Sequence, residues 1–287
     1  MSVAPPLLLT EHFATLARDY DALLCDVWGV IHNGLAAFPQ ACAALEQFRQ
    51  GGGSVVLISN APRPGAGVIR MLDRLGAPRS AYDRIVTSGD VSREFVARRP
   101  GRVYHLGPDR DRPIFSGLDI AFGPIETAAY VVCTGLLDDE TESPEDYRRL
   151  FEQMQARNLL MLCANPDLLV ERGERLVYCA GALAELYGSL GGEVLYAGKP
   201  HRPIYDEALA AIEAARGARP QRVLAIGDSV RTDLTGACAL GLDCLFITGG
   251  IHAEELGDRH NPDLVRLGEI FAAANVHARA SMRRLVW

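Results

Sequence analysis

The sequence lacks any apolar run that approaches the roughly 20 residues needed to cross a bilayer, so no helical membrane span is expected. None of its seven cysteines forms a C-x-x-C pair, which disfavours a zinc or dithiol site and indicates buried thiols in a reducing cytoplasm. Positive charge is in deficit, with 29 Lys and Arg against 36 Asp and Glu, and this disfavours nucleic acid or anionic membranes as partners. No basic segment precedes residues 7–9, so no signal peptide is expected. We therefore expect a soluble, cytoplasmic protein.

Hydrophobic residues are abundant, at 48% of 287, and they suffice for one large domain or two modest ones. Short aliphatic and β-branched runs alternate with helix-length segments, which predicts an α/β fold with a largely parallel, doubly wound, Rossmann-like sheet. Helices are predicted over residues 39–50, from Ser143 and Pro144 onward, and over residues 278–287 at the end of the chain. The predicted strands are residues 23–27, 54–59, 84–88, 130–134, 158–164, 194–197, 222–227 and 244–248.

Polar residues stand where several of these strands end. Asp26 closes the first strand, Ser59 and Asn60 close the second, Lys199 follows a later one, and Asp228 follows another. Because ligands of such sheets bind at the carboxyl ends of the strands, these positions predict one convergent pocket.

Each of these residues suits phosphoryl chemistry, although each also has an ordinary structural explanation. A carboxylate such as Asp26 can attack phosphorus, but aspartate also caps helices and opens turns. The Ser59 hydroxyl and the following N–H groups could hold phosphoryl oxygens, or simply end a strand. Lys199 could offset negative charge, or lie in solvent. The acids Asp228 and Asp233, five residues apart after a buried strand, offer the oxygen ligands that Mg²⁺ prefers.

Taken together and in this order, these segments resemble the haloacid dehalogenase superfamily, specifically its class IIA phosphatases for sugar, nitrophenyl and pyridoxal phosphates. The resemblance covers nearly the whole chain. It implies a core domain from residues 1–88 and 192–287, with an α/β cap inserted at residues 89–191. The segment from Ile85 to Asp90 resembles the entry to the cap, and Asn165-Pro166-Asp167 resembles the family's Asn-x-Asp cap segment, which faces the active site. The cofactor implied is Mg²⁺, the substrate a small phosphorylated metabolite, and caps of this branch often support a homodimer.

The resemblance assigns roles position by position. The catalytic residues it implies are Asp26 as nucleophile, Ser59 for the phosphate and Lys199 for charge balance. The metal ligands it implies are Asp26, the backbone carbonyl of Trp28, Asp228 and Asp233. The substrate-binding residues it implies are Trp28, Ser59, Asn60, Ala61, Asn165, Asp167 and Lys199.

Trp28 departs from the family pattern. In the phosphatases an aspartate two residues after the nucleophile protonates the leaving oxygen and then activates water, and an indole does neither. Loss of a general acid or base costs about 10² to 10⁴ in rate.

Three interpretations follow from this departure. The first is a phosphatase or phosphotransferase for substrates with good leaving groups, or one whose acid is His32, His201 or Asp167. The second is a phosphate-binding or regulatory protein with little turnover. The third is a dehalogenase-type hydrolase, since dehalogenases carry an aromatic residue at this position. Dehalogenases work without magnesium, however, and this chain keeps the acids from Asp228 to Asp233.

Overall fold

The structure is a computed structural model, and it describes residues 9–172, 175–257 and 261–287. The segment before residue 9, in which the sequence predicts no signal peptide, lies outside these ranges. The helices are α1 (Phe13–Ala17), α2 (Pro39–Gln50), α3 (Gly65–Leu75), α4 (Ser88–Arg98), α5 (Arg148–Ala156), α6 (Ala180–Ser189), α7 (Arg202–Arg216), α8 (Thr235–Ala239) and α9 (Leu264–Ala273). The strands are β1 (Ala22–Asp26), β2 (Ser54–Ser59), β3 (Arg84–Thr87), β4 (Val103–Leu106), β5 (Tyr130–Cys133), β6 (Leu160–Cys163), β7 (Leu169–Arg172), β8 (Arg175–Tyr178), β9 (Val194–Tyr196), β10 (Val223–Gly227), β11 (Asp243–Ile247) and β12 (Ala280–Met282).

The chain divides into two compact units. Unit 1 comprises Met1–Ile58, Met71–Ile85 and Ala208–Trp287, and unit 2 comprises Ser59–Arg70 and Val86–Glu207. The α/β class predicted from the sequence is confirmed, because helices alternate with strands whose sheets are largely parallel.

The sheet of unit 1 has the order β12-β11-β10-β1-β2-β3. Its central strand β1 pairs in parallel with β10 on one side and with β2 on the other. All five residues of β1 are buried, as expected for a strand covered on both faces. In the register with β10, Cys25 faces Ile226, and this pairing brings the carboxyl ends of the two strands side by side.

Unit 2 holds a second parallel sheet, ordered β4-β5-β6-β9, and an antiparallel hairpin of β7 with β8. One apolar cluster packs Phe151, Met154 and Tyr187 against residues of β5 and β6. A second cluster joins Val103, Tyr130 and residues around Ile114. Unit 2 therefore has a hydrophobic core of its own.

The carboxyl-terminal prediction is wrong. Residues 278–287 do not form a closing helix, because Ala280–Met282 form strand β12, which pairs with β11 through Leu245 and Ile247. Its three residues are buried, and pairing with β11 satisfies backbone groups that burial removes from water. The predicted start at Ser143 is present, where Ser143 and Asp146 form a capping box on a 3₁₀ turn that leads into α5.

The cysteines behave as small core residues. All seven are free thiols, and six of them are buried. Among the helices of the described ranges, none has both the length and the apolar character needed to cross a bilayer.

His105 on β4 makes the stability of the protein depend on pH. Burial lowers its pKa to about 4, and its Nε2 lies 2.9 Å from the Thr134 hydroxyl oxygen. The His105 imidazole takes up a proton near pH 6.5 in the unfolded chain but only near pH 4 in the folded chain. The free energy of unfolding therefore falls as the pH drops from 6.5 to 4. We expect His105→Gln to reduce this loss, measured as the melting temperature at pH 7 and pH 4.5. The matched control is His277→Gln at an exposed position, which should keep the pH dependence of the wild type. An equal fall in melting temperature from pH 7 to pH 4.5 in all three proteins would contradict the prediction.

Candidate active site

Three carboxylates meet at the carboxyl ends of β1 and β10 in unit 1. Asp26 ends β1, Asp228 directly follows β10, and Asp233 lies on the short π-helical turn Val230–Leu234. All three are buried, and each offers an oxygen that lies within 4.8 Å of the others. Three buried carboxylates this close repel one another unless a cation or a proton neutralises them. Their all-oxygen donor set suits a hard divalent cation.

Backbone N–H groups orient these carboxylates. The N–H of Val27 donates to Oδ1 of Asp26 at 2.7 Å, and the N–H of Ile251 donates to Oδ2 of Asp228 at 2.8 Å. The N–H of Ser229 donates to Oδ2 of Asp233 at 3.2 Å. Such bonds hold a carboxylate in one orientation before any ligand binds.

Two glycines make room for Asp228. A Cβ at Gly29 would lie 2.0 Å from Oδ2 of Asp228, and a Cβ at Gly250 would lie 1.9 Å from the same oxygen. Gly29 also has φ +81°, a conformation that side chains disfavour. Sequence reasoning missed Gly250 and Ile251. The pair Gly249-Gly250 directly after a predicted strand is the signal that could have identified them.

Trp28 is half-buried and held by its own loop. Its ring meets the ring of His32 edge to face, with centroids 4.9 Å apart and planes at 72°. A Cβ at Gly34 would lie 2.8 Å from Cη2 of Trp28, so the indole packs directly on the Gly34 backbone. Trp28 and His32 also form a backbone bridge, and His32 forms another with Ala37, so residues 28–37 form a loop closed by its own backbone pairing.

His32 is fully buried and electrically neutral at neutral pH. Burial lowers its pKa to about 4. The N–H of Gly34 donates to Nδ1 at 2.9 Å, so Nδ1 is an acceptor and the neutral ring carries its hydrogen on Nε2. Within the described residues Nε2 has no hydrogen-bond partner. A neutral imidazole is a poor acid, and this argues against His32 as the replacement for the missing aspartate.

In unit 2 the structure brings together Asn60, Asp167 and Lys199. Oδ1 of Asn60 accepts from the Lys199 N–H at 2.7 Å, and Nδ2 of Asn60 donates to the Lys199 carbonyl at 3.1 Å and to Oδ1 of Asp167 at 2.9 Å. Asn60 and Lys199 are buried, and Asp167 is half-buried. The three residues lie far apart in sequence, so this cluster exists only in the folded unit.

The other predicted residues of unit 2 lie beside this cluster. Oγ of Ser59 accepts from the Ala61 N–H at 3.2 Å, and Oδ1 of Asn165 accepts from the Asp167 N–H at 3.1 Å. His201 stacks on Tyr196, with parallel rings 4.4 Å apart.

A parallel α/β fold with buried acids at the ends of neighbouring central strands is typical of the haloacid dehalogenase-like hydrolases. A family model described as haloacid dehalogenase-like hydrolase matches residues 23–121, and a second, described as HAD-hydrolase-like, matches residues 196–269. The crystal structure of a hydrolase of the haloacid dehalogenase-like family from Brucella suis 1330 is 48% identical, covers 96% of this chain and 100% of that chain, and has a TM-score of 0.86. This chain belongs to that family of hydrolases.

Two more distant relatives are a named phosphatase and a hydrolase of the same family. The glycerol phosphate phosphatase of Mycobacterium tuberculosis in complex with calcium is 25% identical, covers 82% of this chain and 68% of that chain, and has a TM-score of 0.63. The bovine (Bos taurus) haloacid dehalogenase-like hydrolase domain-containing protein 2 is 26% identical over 251 residues, which are 85% of this chain and 90% of the bovine protein. The chain is thus a phosphatase-like hydrolase of this family.

Proposed function

We propose that this protein is a Mg²⁺-dependent phosphatase that hydrolyses a small phosphorylated metabolite through an aspartyl phosphate at Asp26. The observation that carries the proposal is the group of Asp26, Asp228 and Asp233, whose oxygens lie within 4.8 Å of one another. The Mycobacterium tuberculosis glycerol phosphate phosphatase, which has been solved with calcium and with magnesium, supports it.

Each group of residues has its own role in the proposed reaction. The Asp26 carboxylate attacks phosphorus, the bond from phosphorus to the leaving oxygen breaks, and water then hydrolyses the acyl phosphate. The phosphoryl oxygens bind to the Ser59 hydroxyl, to the backbone N–H groups of Asn60 and Ala61 and to the Lys199 ammonium. Asp26, Asp228, Asp233 and the Trp28 carbonyl would hold Mg²⁺, which when bound neutralises carboxylate and phosphate charge.

Trp28 restricts the substrates. With no acid two residues after the nucleophile, the leaving oxygen departs unprotonated, so aryl and acyl phosphates react faster than alkyl phosphates. The same absence leaves no carboxylate at this position to activate water, so hydrolysis of the acyl phosphate is slow. The Trp28 indole, two residues after the nucleophile, packs on His32 and Gly34.

The cap supplies specificity in this proposal. The core is residues 1–88 and 192–287, and the inserted cap is residues 89–191. Asn165 and Asp167 contact the substrate from the cap segment, the protein acts in the cytoplasm, and the resemblance is compatible with a homodimer formed through the cap.

The test is a panel of phosphorylated metabolites, aryl phosphates and acyl phosphates, each assayed with Mg²⁺ and with a chelator. We expect turnover that requires Mg²⁺ and is fastest for good leaving groups. Turnover of 2-haloacids that is insensitive to the chelator would contradict the proposal and indicate a dehalogenase.

A phosphate-binding protein with little turnover is the second candidate, and Trp28 favours it because the indole is built into its loop by His32 and Gly34. In that case one phosphorylated metabolite would raise the melting temperature while no product forms. Sustained release of phosphate from that metabolite would exclude a phosphate-binding protein with little turnover.

Replacement of Gly250 tests the metal site. The Cβ of Gly250→Ala would collide with Oδ2 of Asp228, so the carboxylate must rotate away from the cluster. We expect the Kd for Mg²⁺ to rise about 10- to 100-fold, measured by calorimetric titration. Gly188→Ala is the matched control, because a Cβ there meets no atom within 4 Å and Mg²⁺ binding should not change. Unchanged affinity in Gly250→Ala would show that Asp228 is not a ligand.

A further inference from the structure

Both ends of the Asn60 side-chain amide are hydrogen-bonded to the protein. Both N–H bonds of Nδ2 are used, one toward the Lys199 carbonyl at 3.1 Å and one toward Oδ1 of Asp167 at 2.9 Å. Oδ1 accepts from the Lys199 N–H at 2.7 Å. The Asn60 amide therefore binds both the N–H and the carbonyl of Lys199, and it binds the Asp167 carboxylate as well.

The orientation of this amide is determined by its partners. The Lys199 N–H can only donate, so it needs the oxygen of Asn60, whereas the Lys199 carbonyl and the Asp167 carboxylate need the nitrogen. A flipped amide would lose all three bonds. Asn60 is also only 4% exposed, so water competes little for these groups.

The loop of residues 197–200, which carries Lys199, packs closely against Asn60, as the surroundings of Gly198 show. A Cβ at Gly198 would lie 2.3 Å from Oδ1 of Asn60, 2.7 Å from Cδ of Pro166 and 3.0 Å from Oγ of Ser88. The residue before Lys199 is thus enclosed by the amide, by the cap segment and by the start of α4. The loop cannot shift toward these groups, and the Asn60 bonds keep it from moving away.

We propose that Asn60 is a positioning residue, which fixes Lys199 for catalysis, and that its side chain does not bind the substrate. This inference rests on the proposed phosphatase function, and it gives Asn60 a different role from the substrate-binding one that the sequence resemblance implies. The Lys199 side chain is 2% exposed, so its ammonium lies where charge interactions are strong and where a displacement of the backbone moves the charge. A small misplacement of such a group lowers the rate more than it lowers substrate affinity.

A double-mutant cycle on turnover tests the inference. We expect Asn60→Ala and Lys199→Ala each to lower kcat about 10²-fold, and the double variant to lose no more than about tenfold beyond the worse single variant. The KM of Asn60→Ala should stay within about threefold of the wild type. Multiplicative losses, or a raised KM with unchanged kcat, would overturn the proposal and indicate a direct contact with substrate.

Hydrogen exchange gives a readout that does not depend on activity. Asn60→Ala should speed exchange in peptides that contain Lys199 and leave peptides of β10 and β5 as in the wild type. Thr134→Val, which removes the part-buried hydrogen bond to His105, is the matched control and should not affect the Lys199 peptide or kcat. Unchanged exchange at Lys199, or faster exchange throughout unit 2, would overturn the positioning role. Absence of turnover in the wild type would contradict the phosphatase function, while the exchange result still decides whether Asn60 holds Lys199.

Discussion

Asp26→Asn is expected to lower kcat for aryl phosphate hydrolysis by about 10⁴-fold or more, because an amide cannot attack phosphorus. The substitution keeps the shape of the side chain and an oxygen that can accept from the Val27 N–H. The loss should therefore reflect chemistry and not folding. The measurement is kcat at saturating Mg²⁺, with the melting temperature as a check on the fold.

Asp26 also belongs to the carboxylate cluster, so metal binding has to be measured in the same variant. Retained Mg²⁺ binding with lost turnover assigns the effect to the nucleophile, and calorimetric titration separates the two. Asp73→Asn, which removes an exposed ion pair with Arg79, is the control and should keep wild-type kcat. Turnover in Asp26→Asn within tenfold of the wild type would contradict Asp26 as nucleophile.

Trp28→Asp is expected to raise kcat for alkyl phosphates by about 10²-fold, because it supplies the missing acid and base. The gain should be smaller for aryl phosphates, whose leaving groups need no proton. Loss of the indole also removes the packing on His32 and Gly34, so the melting temperature should fall. The measurement is the ratio of kcat values for an alkyl and an aryl phosphate.

Trp28→Asn is the matched control for this gain. Asparagine has the size of aspartate and removes the same indole, but it has no titratable carboxyl group. A gain in Trp28→Asp that is absent in Trp28→Asn would therefore be due to the acid. An equal gain in both variants, or a loss in Trp28→Asp, would show that the missing-acid explanation is wrong.

The sequence predicted the parts of the fold that local pattern determines. Helix α2 (Pro39–Gln50) and strand β2 (Ser54–Ser59) begin and end at the predicted residues, because proline marks the start of the helix and glycines mark its end. Strands buried on both faces, such as β1, stand out as continuous apolar runs.

Strands whose sequences carry a weak local signal were missed. Strand β12 depends on pairing with β11, and the hairpin of β7 and β8 is local in sequence but has charged residues in both strands. Strand β4 includes His105, whose burial depends on Thr134 and Phe115. Tertiary contacts of this kind outweigh local preference.

In the candidate site, too, local sequence predicts some features and distant contacts determine the others. Placement of Asp26 and Asp228 at neighbouring strand ends could be predicted, because both follow strong strands of one parallel sheet. The contact of Gly250 with Asp228 and the bonds of Asn60 to Asp167 and Lys199 could not, since they join residues distant in the chain. Only the folded structure shows which partners a buried amide has.

We expect Asp26 to become covalently phosphorylated and Trp28 to slow the release of the phosphoryl group. Intact-protein mass spectrometry after rapid mixing with acetyl phosphate and Mg²⁺ tests it most directly. The wild type should gain the mass of one phosphoryl group, Asp26→Asn should gain none, and the adduct should decay faster in Trp28→Asp. An unmodified wild type during steady turnover, or the same adduct on Asp26→Asn, would contradict it.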